Sequence, residues 1–322
     1  MNEIESSRKH SVEKLEELKQ KVLSETIIAK HKHFCIYTTG SYGREEAGES
    51  SDIDLFFITD HSIGKIDKIL IDADLIKITR DLQFPDFSGD GVYLEVHKLQ
   101  DIVGYLGSRE DDYKNYFTAR MLLILESKCV YNEQKYNDII DSVLQKYYVD
   151  EDSDNVLNFH PVFLINDIIR YWRTLCLNYE YSKNKKDNTK ENKIKAYIKN
   201  CKLKFSRKLT CYSLLLSILY LDTDNISKEQ LKELIALRPL ERLDKIKSET
   251  LSDLVKKQID KIEILYNDFL LLTHKTEDEL KNAFKNDKLR KQIFAKANEF
   301  SEAIFQLMLL KKESEIFKYF LV

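Results

Sequence analysis

Glycine is scarce and confined. The chain of 322 residues holds eight, all between Gly40 and Gly107. Tight turns and strand connections use glycine, whereas long helices exclude it. The distribution therefore predicts an α+β protein: a small head carrying the turns and strands, then an all-helical body. Of three prolines, only Pro161 and Pro239 fall in the glycine-free part, and both suit helix starts. Five cysteines (Cys35, Cys129, Cys176, Cys201 and Cys211) are scattered, with no CxxC or Cys/His cluster. That speaks against a disulfide framework or a structural zinc knuckle and reads as thiols kept reduced. No apolar run approaches the roughly 18 residues of a membrane span, so no membrane partner is expected. The acidic start Met1-Asn2-Glu3-Ile4-Glu5 lacks the apolar core of a signal peptide, which predicts a cytoplasmic protein. Neither sign of charge dominates: 51 Lys and Arg face 54 Asp and Glu, net -3. Affinity for nucleic acid would have to be local.

The richest stretch is Gly40-Ser41-Tyr42-Gly43-Arg44-Glu45-Glu46, followed by Ser51-Asp52-Ile53-Asp54-Leu55, with ten residues between Ser41 and Asp52. Phe34–Thr39 before it and 53–59 around the acids read as strands. Residues i and i+2 of a strand share a face, so Asp52 and Asp54 set two carboxylates side by side while Ile53 and Leu55 turn to the core. Two such charges call for a cation between them, and a hard ion such as Mg²⁺ is the natural one, often shared with substrate phosphates. The Gly-Ser turn offers backbone N–H groups and a hydroxyl to a phosphate. The pattern points to phosphoryl-type transfer.

This pattern resembles the signature of the DNA polymerase β-like nucleotidyltransferase superfamily, and within it most resembles the PII-uridylyltransferase type. The close match covers about residues 34–59 and continues more loosely to about Leu125. The resemblance implies a mixed or antiparallel sheet flanked by helices, and transfer of a nucleoside monophosphate (NMP) from a nucleoside triphosphate (NTP) to a hydroxyl, releasing pyrophosphate. It implies two Mg²⁺ (or Mn²⁺) ions on Asp52, Asp54 and a third carboxylate on a neighbouring strand. Glu95, in the alternating run Val92–Lys98, is the best candidate and Asp90 the next; family members mostly use Asp here, so Glu is a departure. A charge on an edge strand's polar face is the plain alternative. Gly40 and Ser41 would grip the β- and γ-phosphates, and Arg44 would neutralise leaving-group charge. A helical domain lends Lys or Arg to the triphosphate in this superfamily; Lys204, Arg207 and Lys208 are the candidates, with Lys202 behind them.

Along the rest of the chain, residues 3–30 predict a helix with Val12, Leu15, Leu18 and Val22 inward. Residues 63–82 predict a helix, with a short strand near Leu75–Ile78 as the alternative. Short and longer helices are expected over Asp101–Leu106 and Asp111–Ser127. Arg120 in the second could reach a phosphate or pair with an acid. A helix over Tyr131–Tyr148 leads to the acidic stretch Asp150–Asp154, which sets the boundary: a nucleotidyltransferase domain at 1–150 and a helical domain at 151–322. Pro161 opens a helix whose Asn166, Arg170 and Arg173 share a face, lining a cleft or paired with Asp167 or Glu126. Between Lys183 and Lys208 stand eleven Lys or Arg against Asp187 and Glu191. This basic region reads as a phosphate-binding wall, a solvated helix face or an RNA-binding patch. Ser227, Ser248 or Thr250, and Thr276 with Glu279, are candidate N-caps. The apolar end Ile316–Val322 either docks on the body or forms a homo-oligomer contact.

The acceptor stays open at this level: a protein or a small molecule, or an RNA 3′ end bound through the basic region. A non-catalytic nucleotide- or partner-binding module is the remaining alternative.

Overall fold

In the computed structural model of the protein, residues 2–24, 26–87, 95–149, 159–185, 189–221, 223 and 225–321 are described. The acidic stretch Asp150–Asp154, Asp90 and the first part of the alternating run before Glu95 lie outside them. The chain divides into two compact units, Met1–Val149 and Asp150–Val322.

The first unit opens with α1 (Glu3–Ser24) and the short α2 (Thr26–Ala29), then β1 (Phe34–Thr39), the single turn α3 (Gly40–Gly43) and β2 (Asp54–Thr59). After these come α4 (Lys65–Asp81), β3 (Val96–Lys98), α5 (Leu99–Gly104), α6 (Arg109–Tyr113), α7 (Tyr116–Glu126), β4 (Lys128–Tyr131) and α8 (Glu133–Gln145). The four strands form one mixed sheet in the order β3-β2-β1-β4. β1 runs antiparallel to both neighbours, and β3 lies parallel to β2. Central β1 is buried throughout, as expected of a strand covered on both faces. On one face Ile36, Leu55 and Phe57 pack with Leu15 and Leu18 of α1 and Leu75 of α4. On the other, Tyr37 stacks on Phe56 at 5.6 Å and meets Tyr136 of α8 at 6.2 Å.

The differences from the expected elements have local causes. Val12 is 45 % exposed, and Ser11 takes its place in the α1 stripe. The buried Ser11 hydroxyl accepts from Ala47 N at 2.9 Å, so a polar residue holds the inward position. Residues 65–81 are helical throughout, with no strand near Leu75. The helix expected over 111–127 is two, because Asn115 adopts φ +59 and breaks the run. Residues 128–131 form β4, where helix was expected for Tyr131, and Asn132 at φ +66 starts α8, accepting from Lys135 N.

The second unit contains α9 (Val162–Lys185), α10 (Lys190–Lys202), a π-helical turn (Leu203–Arg207), α11 (Lys208–Tyr220) and α12 (Lys228–Ala236). It continues through α13 (Pro239–Glu249), α14 (Asp253–Thr273), α15 (Glu277–Lys285), α16 (Asp287–Leu309) and a closing 3₁₀ turn (Glu315–Phe320). Phe205, Phe269, Tyr266 and Phe300 make its aromatic core, with Phe205 4.9 Å from both Phe269 and Phe300. Ser227 and Thr276 close capping boxes with Gln230 and Glu279, and Pro239 stands in the first turn of α13. Ser252, two residues past Thr250, caps α14. The apolar end docks on the body: Ile316 and Phe320 are buried, and the Tyr319 ring lies 6.1 Å from His160.

Candidate active site

At the end of β1 the chain turns immediately. Gly40 takes φ +68, which side chains other than glycine's rarely adopt. A Cβ there would lie 2.8 Å from Asp54 Oδ2, so glycine also leaves the room in which that carboxylate sits. The register puts Thr39 opposite Asp54, and Thr38 Oγ1 donates to the Asp54 carbonyl at 3.0 Å. Asp54 is half-buried as the first residue of β2 and Asp52 is exposed just before it, while Ile53 and Leu55 between and after them are buried. The Asp52 carboxylate makes no hydrogen bond or ion pair with a described residue, nor does the Ser41 hydroxyl, so both are available to a ligand. Tyr42 faces Phe84 edge-on at 5.3 Å, and burial first, then the negative charge of Asp52, pushes its hydroxyl up to about 12.

The turn rests on the end of α7. A Cβ on Gly43 would come within 2.0 Å of the Glu126 carbonyl and 3.0 Å of the Thr38 carbonyl, so the backbones meet where only glycine fits. Arg44 is 7 % exposed, and its guanidinium donates to Glu46 at 2.8 Å and to Glu126 at 2.5 Å. Held by two carboxylates, it braces the turn from beneath. The connection to Asp52 is pinned as well: Gly48 N donates to Ser51 Oγ and Ser51 N to the Gly48 carbonyl, each at 3.0 Å.

Glu95 is exposed and stands one residue before β3. Val96 pairs with Phe57 in the parallel ladder, so Glu95 comes level with Phe56, on the face that Asp54 shares. The His97 imidazole, two residues on, has its pKa lowered by burial, partly offset by the charges of Glu95 and Asp101. Arg120 does not face this region: it is fully buried, bidentate to Asp111 at 3.0 and 2.6 Å, and donates to the Ile102 carbonyl and Tyr147 Oη.

In the body, Lys204 donates to Asn298 Oδ1 at 3.0 Å. Lys208 donates to Ser301 Oγ at 2.7 Å and sits 5.3 Å from the Trp172 ring centroid; burial, then Lys204, lowers its pKa. Arg207 is half-buried with partners of its own, and all three lie on or beside the π turn. Arg170 pairs with Asp167 at 3.5 Å. A separate cleft of about 460 Å³ is lined by Tyr179, Lys183, Asn192, Lys193, Tyr197 and Lys199 among others, with no carboxylate among the described residues of its lining.

Residues 15–128 match the family model of the nucleotidyltransferase domain. The head is a nucleotidyltransferase domain of the DNA polymerase β-like superfamily. The match spans the Gly-Ser turn, both aspartates, Glu95 and the α7 residue Glu126 that anchors Arg44. No curated protein matches the chain. The matched domain supports nucleotidyl-group transfer in general terms. The oxygen donors at the start of β2 and the space left by Gly40 suit a hard divalent cation. The clamp of Glu46 and Glu126 on Arg44 was not legible in advance. Glu46 stands next to the motif, but Glu126 is 82 residues from Arg44.

Proposed function

We propose that the protein transfers an NMP from an NTP to a hydroxyl acceptor at the end of the sheet where Gly40-Ser41 meets Asp52 and Asp54. The observation that carries this reading is the Gly40 position, 2.8 Å from Asp54 Oδ2 if a Cβ were added, which joins the phosphate-binding turn to the carboxylate pair. Asp52 and Asp54, with Glu95, would hold two Mg²⁺ or Mn²⁺ ions, which when bound neutralise the phosphates and polarise the α-phosphorus. Gly40 N–H and Ser41 Oγ bind the β- and γ-phosphates. Glu95 takes the proton of the acceptor hydroxyl, whose oxygen forms a bond to the α-phosphorus as the bond to pyrophosphate breaks. Arg44 acts by holding the turn in place; its two carboxylate partners make it a brace, where the motif alone suggested a phosphate ligand. On the superfamily likeness, Lys204, Arg207 and Lys208 stand as candidates for the positive charge offered to a triphosphate. Their charge and the π turn that carries them support this role, since such turns recur at functional sites.

For the acceptor we favour a protein, uridylylated or adenylylated as the PII-uridylyltransferase likeness implies, or a small molecule. An RNA acceptor is the second reading. The cleft supports it, with four lysines and two tyrosines and no acid among the described residues of its lining, the pairing of cationic and stacking groups that single strands use. Incubating the protein with each labelled NTP and Mg²⁺ or Mn²⁺ in cell extract tests these readings. Label is expected in the protein or small-molecule fraction; label in RNA would replace this reading with the second. No labelled product with any NTP would leave a non-catalytic binding module.

A further inference from the structure

A second cluster of metal-ligating side chains lies at the opposite end of the β1–β2 pair. His33, Asp60 and His61 each present one donor atom, and these atoms lie within 4.8 Å of one another. The His33 and His61 rings are 4.2 Å apart between centroids. The register separates this cluster from the carboxylate pair: Phe34 pairs with Thr59 at one end and Thr39 with Asp54 at the other. Five residue steps at about 3.3 Å put roughly 17 Å between the two ends.

We propose that His33, Asp60 and His61 bind a borderline divalent transition ion, Zn²⁺ foremost, as a clamp tying the residue before β1 to the residues after β2. Two imidazoles and one carboxylate are the donor set that Zn²⁺ takes, with water completing the tetrahedron. Nitrogen donors disfavour Mg²⁺, so this site and the all-oxygen site on Asp52 and Asp54 select different metals. Ligands at 2.0–2.1 Å from a tetrahedral ion stand roughly 3.3 Å apart. The exposed histidine side chains reach that spacing by rotation.

The backbone around both histidines is already fixed. Asn132 Nδ2 donates to the carbonyls of Lys32 at 2.8 Å and Phe34 at 3.1 Å, bracketing His33. Thr59 Oγ1 donates to the His61 carbonyl at 2.9 Å and accepts from His61 N at 3.2 Å. These bonds limit the ordering cost of binding to the side chains. One group competes: Lys135 Nζ pairs with Asp60 Oδ2. The carboxylate has a second oxygen for the ion, and the ammonium weakens the site without closing it.

The test is Zn²⁺ titration of the untagged, EDTA-treated full chain, by calorimetry and by competition with a chromophoric chelator. One Zn²⁺ per chain is expected, undisturbed by excess Mg²⁺. His33→Ala and His61→Ala should each weaken it at least tenfold, Asp60→Asn should weaken it too, and Lys135→Gln should tighten it. Asp52→Asn and Asp54→Asn should leave it unchanged. Zn²⁺ should raise Tm by several degrees, a shift absent in His33→Ala. No Zn²⁺ binding, or binding that survives loss of both histidines, overturns the proposal, as does binding lost with Asp52 or Asp54. Circular dichroism confirms the fold of each variant. Because the readout is metal binding, it stands whatever becomes of the proposed transferase reaction.

Discussion

Asp54 and Gly40 illustrate how one side chain's absence positions another. Adding a methyl group in Gly40→Ala would place it 2.8 Å from Asp54 Oδ2 at φ +68. The carboxylate must then move, and we expect a large loss of nucleotidyl transfer with modest loss of stability, read by activity and urea melts in parallel. At Gly43 the added atom meets backbone at 2.0 Å, which cannot step aside, so Gly43→Ala should lower Tm markedly. Arg44 gives the opposite lesson. Removing one partner of a buried ion pair costs about 3–5 kcal/mol, because a charge is left without compensation. Arg44→Met strands Glu46 and Glu126, which are 6 % and 1 % exposed at their side chains. Its midpoint in urea should fall accordingly, and an unchanged midpoint would show that the brace is dispensable. His97 adds a pH signature. Burial lowers its pKa in the folded state, so below the unfolded value of about 6.5 the unfolded chain binds a proton that the fold refuses. Stability contributed by the neutral imidazole is therefore present above about pH 6.5 and lost as pH falls from there toward the depressed folded pKa. His97→Gln should flatten the pH dependence of Tm in that window.

Elements with strong patterns were readable from the sequence. The strand, Gly-Ser turn and acid-led strand stand where the motif put them because each segment carries its own instruction: β-branched and aromatic runs for β1 and β2, glycine for the turn. The α4 region, Ser227 and Thr276 follow for similar reasons. The missed features depend on single residues or distant partners. β4 is only Lys128–Tyr131, follows the apolar helix α7 without an intervening glycine or proline, and is defined by pairing with β1. The break at Asn115 rests on one left-handed residue. Ser11 replaces Val12 inside α1 because of the amide of Ala47, 36 residues away. In the candidate site, the aspartates and glycines were legible, while the Arg44 clamp needed the fold to bring Glu126 near. Within the body, buried Arg242 binds the ending carbonyls of α12, donating to Leu234 at 2.9 Å and Ile235 at 3.2 Å. Arg242→Met should weaken the packing of α12 and α13 by about 2–4 kcal/mol, since those carbonyls lose their donors.

At the scale of the whole molecule, the glycine distribution and the two compact units describe the same division: turns, strands and the nucleotidyltransferase match in the head, helices in the body. No helix is long and apolar enough to cross a membrane among the described residues. The central claim is that Asp52 and Asp54, opposite the Gly40 turn, perform nucleotidyl transfer. The most direct measurement is pyrophosphate release by the wild type, Asp52→Asn and Asp54→Asn, with each NTP, Mg²⁺ or Mn²⁺ and the acceptor fraction found in extract. Each variant should lose at least about a hundredfold, the scale of losing one preorganised electrostatic group, with an unchanged circular dichroism spectrum. Pyrophosphate release at the wild-type rate in either folded variant would contradict the account.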